Sequence, residues 1–382
     1  MARVSKILDD FSGSEYYVDY NAGNDLLGDG SASNPWQTIK HAIESGITRN
    51  STNGDRINLK SGYAHVVAAT PDYSLYGTPS VAAPLFIQGY TSSANDGGYA
   101  EVTCSSGQAL ADGTTNDYRY LRFAHLSATS DTDPLHVYQY VTLIECKLES
   151  TGSSATPFSA SGGGNYAYYC TFISAYNSSP WGKAFSVNGG VLVNCFFLLN
   201  GQGGAALKST VFNCLAISNS GTANHSHIFA EGSMYVNSAV IINGPKATST
   251  RYAFGGNATT VGCYVQGADT AYQINRTQVF TGNAVSNCTT PVDYTANPYA
   301  NALDAPLYED PAVASSDIAT GTSLTDYALS GNGGISNLEF PVGWSNGTPG
   351  AKAYTDGTGL GFQESGSTGS SSTVHAKFVR LD

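Results

Sequence analysis

Through its middle the chain repeats one short pattern: two or three apolar residues, a polar or small residue, a Cys or Ser, then another apolar run. It reads LIECKL at 143–148, AYYCTFI at 167–173, VLVNCFFLL at 191–199, TVFNCLAI at 210–217, MYVNSAVII at 234–242 and TVGCYVQ at 260–266. The pivot moves from Cys146 to Cys170, Cys195, Cys214, Ser238 and Cys263, in steps of 24, 25, 19, 24 and 25 residues. A near-fixed period of this length marks a repeat architecture, in which no unit can bury its own apolar face without neighbours. Val, Ile, Phe, Tyr, Thr and Cys fill the repeats, and Gly, Asn and Ser fill the gaps. That is strand-and-turn chemistry, with no apolar stripe at helical spacing. Coils of this size suit short strands and tight turns wound as a parallel β-helix, so like positions stack into ladders. Coils running from about residue 82 to 295 amount to about nine, a rod on the order of 43 Å long at one strand spacing per coil. The expected fold is all-β, a single-stranded solenoid.

Composition narrows the surface. Only 12% of the 382 residues are charged, so Ser, Thr, Asn, Gly and the 25 Tyr must supply most of what faces water. A formal charge of −12 with no cluster of Lys or Arg excludes nucleic acid and anionic membrane as partners. No apolar run is long enough to span a bilayer. The opening MARVSKILDDFSGSEYYVDY lacks an apolar core before a small-residue cleavage site, so no Sec signal is expected. The seven Cys are odd in number and lie mostly at repeat positions, which reads as a ladder of buried thiols.

Both ends of an open β-helix need covering, because bare strand edges invite pairing with other chains. Residues 34–43, NPWQTIKHAI, predict a short amphipathic helix capped by Asn34, with Pro35 at its first position and Trp36, Ile39, Ala42 and Ile43 as its apolar stripe. The run YYVDYNAGNDLLGDGSASNPWQTIKHAI, then GDRINLKSGYAHVV and PLFIQGYTSSANDGG, resembles the opening of right-handed parallel β-helix proteins of the pectate-lyase-like group. The resemblance covers about residues 16–100, and the Asn-Cys coils extend it to about 290. It implies a right-handed helix with caps. It leaves activity open, since the group holds polysaccharide lyases, hydrolases, bacterial surface proteins and phage virion proteins.

The expected organisation is an N-terminal cap at 1–62, the β-helix at 63–300, a C-terminal cap region at 301–364, and a Gly/Ser linker with a terminal strand at 365–382. In that last strand Val374, Phe378, Val379 and Leu381 are candidates for docking onto a partner, by adding a strand to a neighbouring sheet.

Catalysis finds little support. A glycoside hydrolase needs two carboxylates, and a lyase needs a cationic base with carboxylates, often through Ca²⁺. From Thr151 to Ala268 the chain offers one acid, Glu231. An earlier group, Asp112, Asp117, Asp131, Asp133, Glu145 and Glu149 with Arg119, Arg122, His125 and His136, reads chiefly as solvated turns. The loop holding Asp19, Asn24, Asp25 and Asp29 could be considered for Ca²⁺ but lacks the ordered ligand spacing of a calcium loop. No cofactor, metal site or catalytic residue is therefore expected. Aromatics near strand ends, Tyr138, Tyr140, Tyr176 and Trp181, are candidates for stacking on sugars or entering a subunit interface.

These features lead to a non-catalytic structural protein of a phage virion, a head decoration, tail or spike component. It would be made in the host cytoplasm without a signal peptide, or be extracellular if not viral. Its partners would be itself (as a homo-oligomer, a trimer by family analogy), other virion proteins and a host surface polysaccharide. The alternative is a polysaccharide lyase or hydrolase of the pectate-lyase-like group.

Overall fold

The computed structural model describes residues 11–113, 115–175, 183–200, 204–212, 214–219, 228–229, 234–236, 238–242, 252–255, 259–261, 263–273, 280–281, 283–286, 288–293 and 307–309. Every ladder between its strands is parallel, and each strand pairs with those one coil before and after it. One sheet runs through Ser14–Val18, Asp55–Lys60, Leu85–Tyr90, Leu121–Ala124, Thr142–Ile144 and Asn165–Tyr168, then on through Lys183–Val193 to Phe280–Thr281. We call this the first sheet. A second runs from Ala64–Val66 through Leu126–Ser130, Lys147–Ser150 and Phe196–Leu199 to Leu307–Glu309. A third wall is built from Ala111–Asp112, Leu135–Val137 and Phe158–Ala160, and later from Tyr252–Phe254, Thr270–Gln273 and Thr290–Asp293. Parallel strands connected in this way wind right-handedly. The chain is a parallel β-helix.

The pivots lie inside it. Cys146, Cys170, Cys195, Cys214, Ser238 and Cys263 are all buried, where the chain turns from the first sheet into the second. Leu126 takes the pivot's place in the coil before that of Cys146, and Ala100 precedes it in register, so the coils start before the Cys pattern does. The seven Cys are free thiols. Several reach back a coil to a backbone carbonyl: Cys146 Sγ to Phe123 O at 3.4 Å, Cys195 Sγ to Ala167 O at 3.4 Å and Cys263 Sγ to Tyr235 O at 3.4 Å. Burial pushes the Cys170 and Cys214 thiols well above their ordinary range, as expected of small hydrophobes rather than nucleophiles. Between the walls the aromatics stack along the axis, Phe158 on Phe172 at 6.2 Å and Phe172 on Phe197 at 5.2 Å. Each such pair adds about 0.5–1.5 kcal/mol beyond its area.

At the N-terminal end, Trp36, Ile39, Ala42 and Ile43 are buried as the amphipathic pattern requires. The helix is shorter than expected, however. It spans Ile39–His41 and runs into a wider turn at Ala42–Gly46, and its cap is Thr38, whose side chain accepts from the His41 N–H at 3.1 Å. The reason is Asp25. Its carboxylate accepts from Gln37 N at 2.8 Å, Thr38 N at 3.0 Å and Thr38 Oγ1 at 2.7 Å, holding those two residues out of the helix. Trp36 instead bridges to Val18 in an extended segment. The C-terminal cap region, apart from 307–309, and the tail with Val374, Phe378, Val379 and Leu381 lie outside the described residues.

Candidate functional site

A strand of the first sheet turns alternate side chains inward and outward. In Leu121–Ala124, Leu121 and Phe123 enter the core, so Arg122 faces out. Register carries that outward row from Phe86 to Arg122, Thr142, Tyr166 and Val191. Beside the row stand the turns that lead into its strands. Tyr120, Tyr140, Gly164 and Gly189 each lie six residues before Leu126, Cys146, Cys170 and Cys195. All four have positive φ, at 51°, 57°, 76° and 62°. The slot thus demands the left-handed conformation, which suits Gly and costs an ordinary residue about 1–2 kcal/mol. Two tyrosines accept that cost.

Their rings stack face to face, with centroids 4.9 Å apart and planes 6° from parallel. Gly164 is what lets the second ring lie flat: a Cβ there would sit 2.5 Å from Tyr140 Cδ1. Tyr120, Arg122, Tyr140, Thr142, Gly164 and Tyr166 form one side of a cavity of ≈ 170 Å³, and Ser80, Val81 and Pro84 close it on the other. Val81, Tyr140 and Tyr166 remain exposed at its edge. No acid lines it. Burial pulls the Arg122 guanidinium below its ordinary pKa, though it remains charged at neutral pH. Among the described residues the ion pairs are Lys40–Glu44, Arg56–Glu15 and Lys147–Glu149, with His125–Glu145 and His136–Asp112 joining them when the imidazole is protonated, and Arg122 is in none of these contacts.

A second left-handed slot lies one residue before each pivot, at His125, Glu145, Tyr169 and Asn194, with φ between 48° and 55°. Here His125 Nε2 meets Glu145 Oε2 at 3.2 Å, and Tyr99 donates its hydroxyl to the Glu145 carbonyl while its ring edge meets His125. On the third wall, His136 Nδ1 bonds Asp112 Oδ1 at 2.9 Å across adjacent strands. Ser159 is next in the same register row, one strand further on.

Of the acidic residues singled out in the sequence, Asp19 and Asp29 cap local turns. Asp112, Asp117, Asp133 and Glu145 instead bond residues of neighbouring coils or strands, and Glu149 pairs with Lys147 of its own strand. Asp19 accepts from Asn21 N at 3.1 Å and Ala22 N at 2.8 Å as well as from the Tyr63 hydroxyl. Asn24 holds Leu26 N at 2.8 Å and Leu27 N at 3.0 Å, Asp29 holds Ser31 N at 2.9 Å, and Asp133 holds Thr156 N at 2.6 Å. Among the described residues no group of three or more His, Cys, Asp or Glu could hold a metal ion. Of the aromatic candidates, Tyr138 leans partly into the core with the Arg119 guanidinium 5.0 Å over its ring, whereas Tyr140 forms the cavity wall. Tyr176, Trp181 and Glu231 lie outside the described residues. Tyr120 and Tyr166 were not foreseen as site residues. The signal for Tyr120 was its fixed offset from the pivot, six residues before Leu126 as Tyr140 is from Cys146.

No protein-family model matches the chain, and no curated protein does. Solved structures do. The pectate lyase Pel9A is 16% identical, with 87% of this chain and 88% of that one covered at a TM-score of 0.41. A rhamnogalacturonan lyase is 14% identical, with 84% and 93% covered at a TM-score of 0.44. The GH136 lacto-N-biosidase from Eubacterium ramulus is 9% identical, with 79% and 68% covered at 0.36. At these scores none of the three bears on the site.

Proposed function

We propose that this chain is a non-catalytic structural protein of a phage virion, a head decoration, tail or spike component, whose β-helix stiffens the particle and presents a glycan-contacting groove. The observation that carries the glycan reading is the Tyr120–Tyr140 stack, held on two left-handed turns beside a cavity without an acid in its lining. Backbone outliers of this kind persist where the side chain has a use, and a tyrosine pair at a groove edge offers apolar ring surface together with hydroxyls to a sugar. A surface poor in charge and a Gly/Ser linker followed by an alternating strand suit packing into an assembly with copies of itself and other virion proteins.

The test is to incubate the folded protein with acidic and neutral polysaccharides, following binding, reducing ends and unsaturated products together. Saturable binding with no new ends is expected. Turnover would overturn the non-catalytic reading. Removing residues 365–382 should abolish incorporation into particles while leaving the rod folded; unchanged incorporation would sink the docking role of that segment.

A polysaccharide lyase or hydrolase is favoured by one observation, the Asp112–His136 pair with Ser159 in register beside it. There Asp112 would orient the imidazole and leave Nε2 as a base. If turnover is found, His136→Gln should remove it; full activity in that variant would rule this pair out.

A further inference from the structure

The least expected group in the cavity wall is the cation. Arg122 is half-buried between neutral neighbours in its row, the buried Phe86 on one side and Thr142 on the other. Drawing a guanidinium partly out of water without an anion is unfavourable, and an anion bound beside it would offset that cost. The chain as a whole carries −12, so its long-range field repels acidic polymers. A groove meant for neutral sugars would gain nothing from this arrangement. One meant for acidic sugars needs a local cation of this kind, and a planar fork beside stacked rings matches a carboxylate or phosphate better than a lysine does.

We infer that the groove takes a glycan bearing an acidic group, with that group on Arg122 and the adjoining sugar ring against Tyr120 and Tyr140. This rests on the glycan-binding reading above. A carboxylate sugar and a phosphate-linked sugar would present the same chemistry to the guanidinium, and the small cavity has room for one substituted ring at a time.

The experiment is calorimetric titration of the full chain with three probes. They are glucuronate-containing oligosaccharides, the same oligosaccharides with their carboxyls reduced to alcohols, and a sugar-phosphate oligomer. At low salt at least one acidic probe should bind about tenfold or more tighter than the reduced one, with the gap narrowing as salt screens it. Which acidic probe wins tells carboxylate from phosphate. Arg122→Gln should erase the preference between acidic and reduced probes, and Arg122→Lys should keep part of it. Arg122→Gln should also melt at the same temperature or higher, because it removes an uncompensated charge. Equal binding of acidic and reduced probes, or an undiminished preference in Arg122→Gln, would overturn this inference while leaving the glycan-binding reading in place. If no probe binds, both fall.

Discussion

Two stretches of one solenoid use the same slots for different ends. In the coils around residues 190–290 the slot before each pivot reads Asn194, Asn213, Asn237, Gly262 and Asn287 in sequence, and Asn194 is left-handed at φ 54°. Asn and Gly adopt that conformation at least cost. In the coils from 120 to 175 the equivalent slot holds His125, Glu145 and Tyr169, and the earlier turn slot holds Tyr120 and Tyr140 before it turns to Gly164 and then Gly189. At Asn194 the backbone matches that at Glu145: the N–H bonds the next coil from Glu145 (to Tyr168 O, 2.9 Å) as from Asn194 (to Phe212 O, 3.1 Å). What differs is the side chain that the slot is made to carry. Asn194 fills the slot at low cost, and the earlier coils give up stability there for surface chemistry.

The largest effect should come where the regions do not differ, in the shared core. Phe172→Ala removes a fully buried ring stacked between two others and should cost about 3–5 kcal/mol in denaturant unfolding. A cost below about 1 kcal/mol would mean that the coils are not packed as one core. Next comes Tyr140→Gly. It relieves a left-handed tyrosine but removes one face of the stack, so stability should change by about 1 kcal/mol or less while glycan affinity falls about tenfold or more. Loss of stability with binding intact would make Tyr140 part of the scaffold. Replacing both His125 and Glu145 by Asn converts the early slot to the later type and removes a paired charge together with its partner. Unfolding free energy should shift by about 1 kcal/mol or less, in either direction. Losing several times that would show that the pair holds the coils together.

Two smaller effects sharpen the contrast. Cys195→Ser should cost about 1 kcal/mol or less, because Ser238 already fills a pivot, donating to Val236 O at 3.0 Å and accepting from Cys214 N at 3.2 Å. Asp96 lies near the N-terminal coils. Burial alone would raise its pKa, but bonds from the N–H groups of Ser92, Ser93, Thr91 and Gly98 outweigh that and hold it well below the usual range. A carboxyl depressed in the folded state contributes stability above its unfolded pKa near 4, and that contribution is lost as pH falls through the depressed value. Asp96→Asn should therefore be less stable than the parent at neutral pH, by about 1 kcal/mol or less for so exposed a group, with the two converging in acid. A constant gap across that range would rule out the carboxylate as the cause.

The fold was legible because the pivots are covalently close to what they bury: an apolar run on either side of a small residue fixes both strands and the turn. The groove was less so. Tyr120 and Arg122 lie inside the expected coils, but their coil has Leu126 rather than Cys at its pivot, so the Cys pattern does not mark their positions. Arg122 reads in sequence as a member of an acidic group, yet strand alternation turns it outward into a cavity whose lining lacks acids. The N-terminal helix was placed too early because its limit is set by Asp25, 13 residues before Thr38, and no local propensity reports a bond of that reach.

The most direct test of the division between the two regions is amide hydrogen exchange along the rod with and without a bound glycan. Protection should appear at residues 120–122, 140–142 and 164–166, and exchange at 210–217 and 234–242 should not change. Protection centred on the later coils, or none at any described coil while glycan is bound, would contradict the assignment of the early groove as the functional surface.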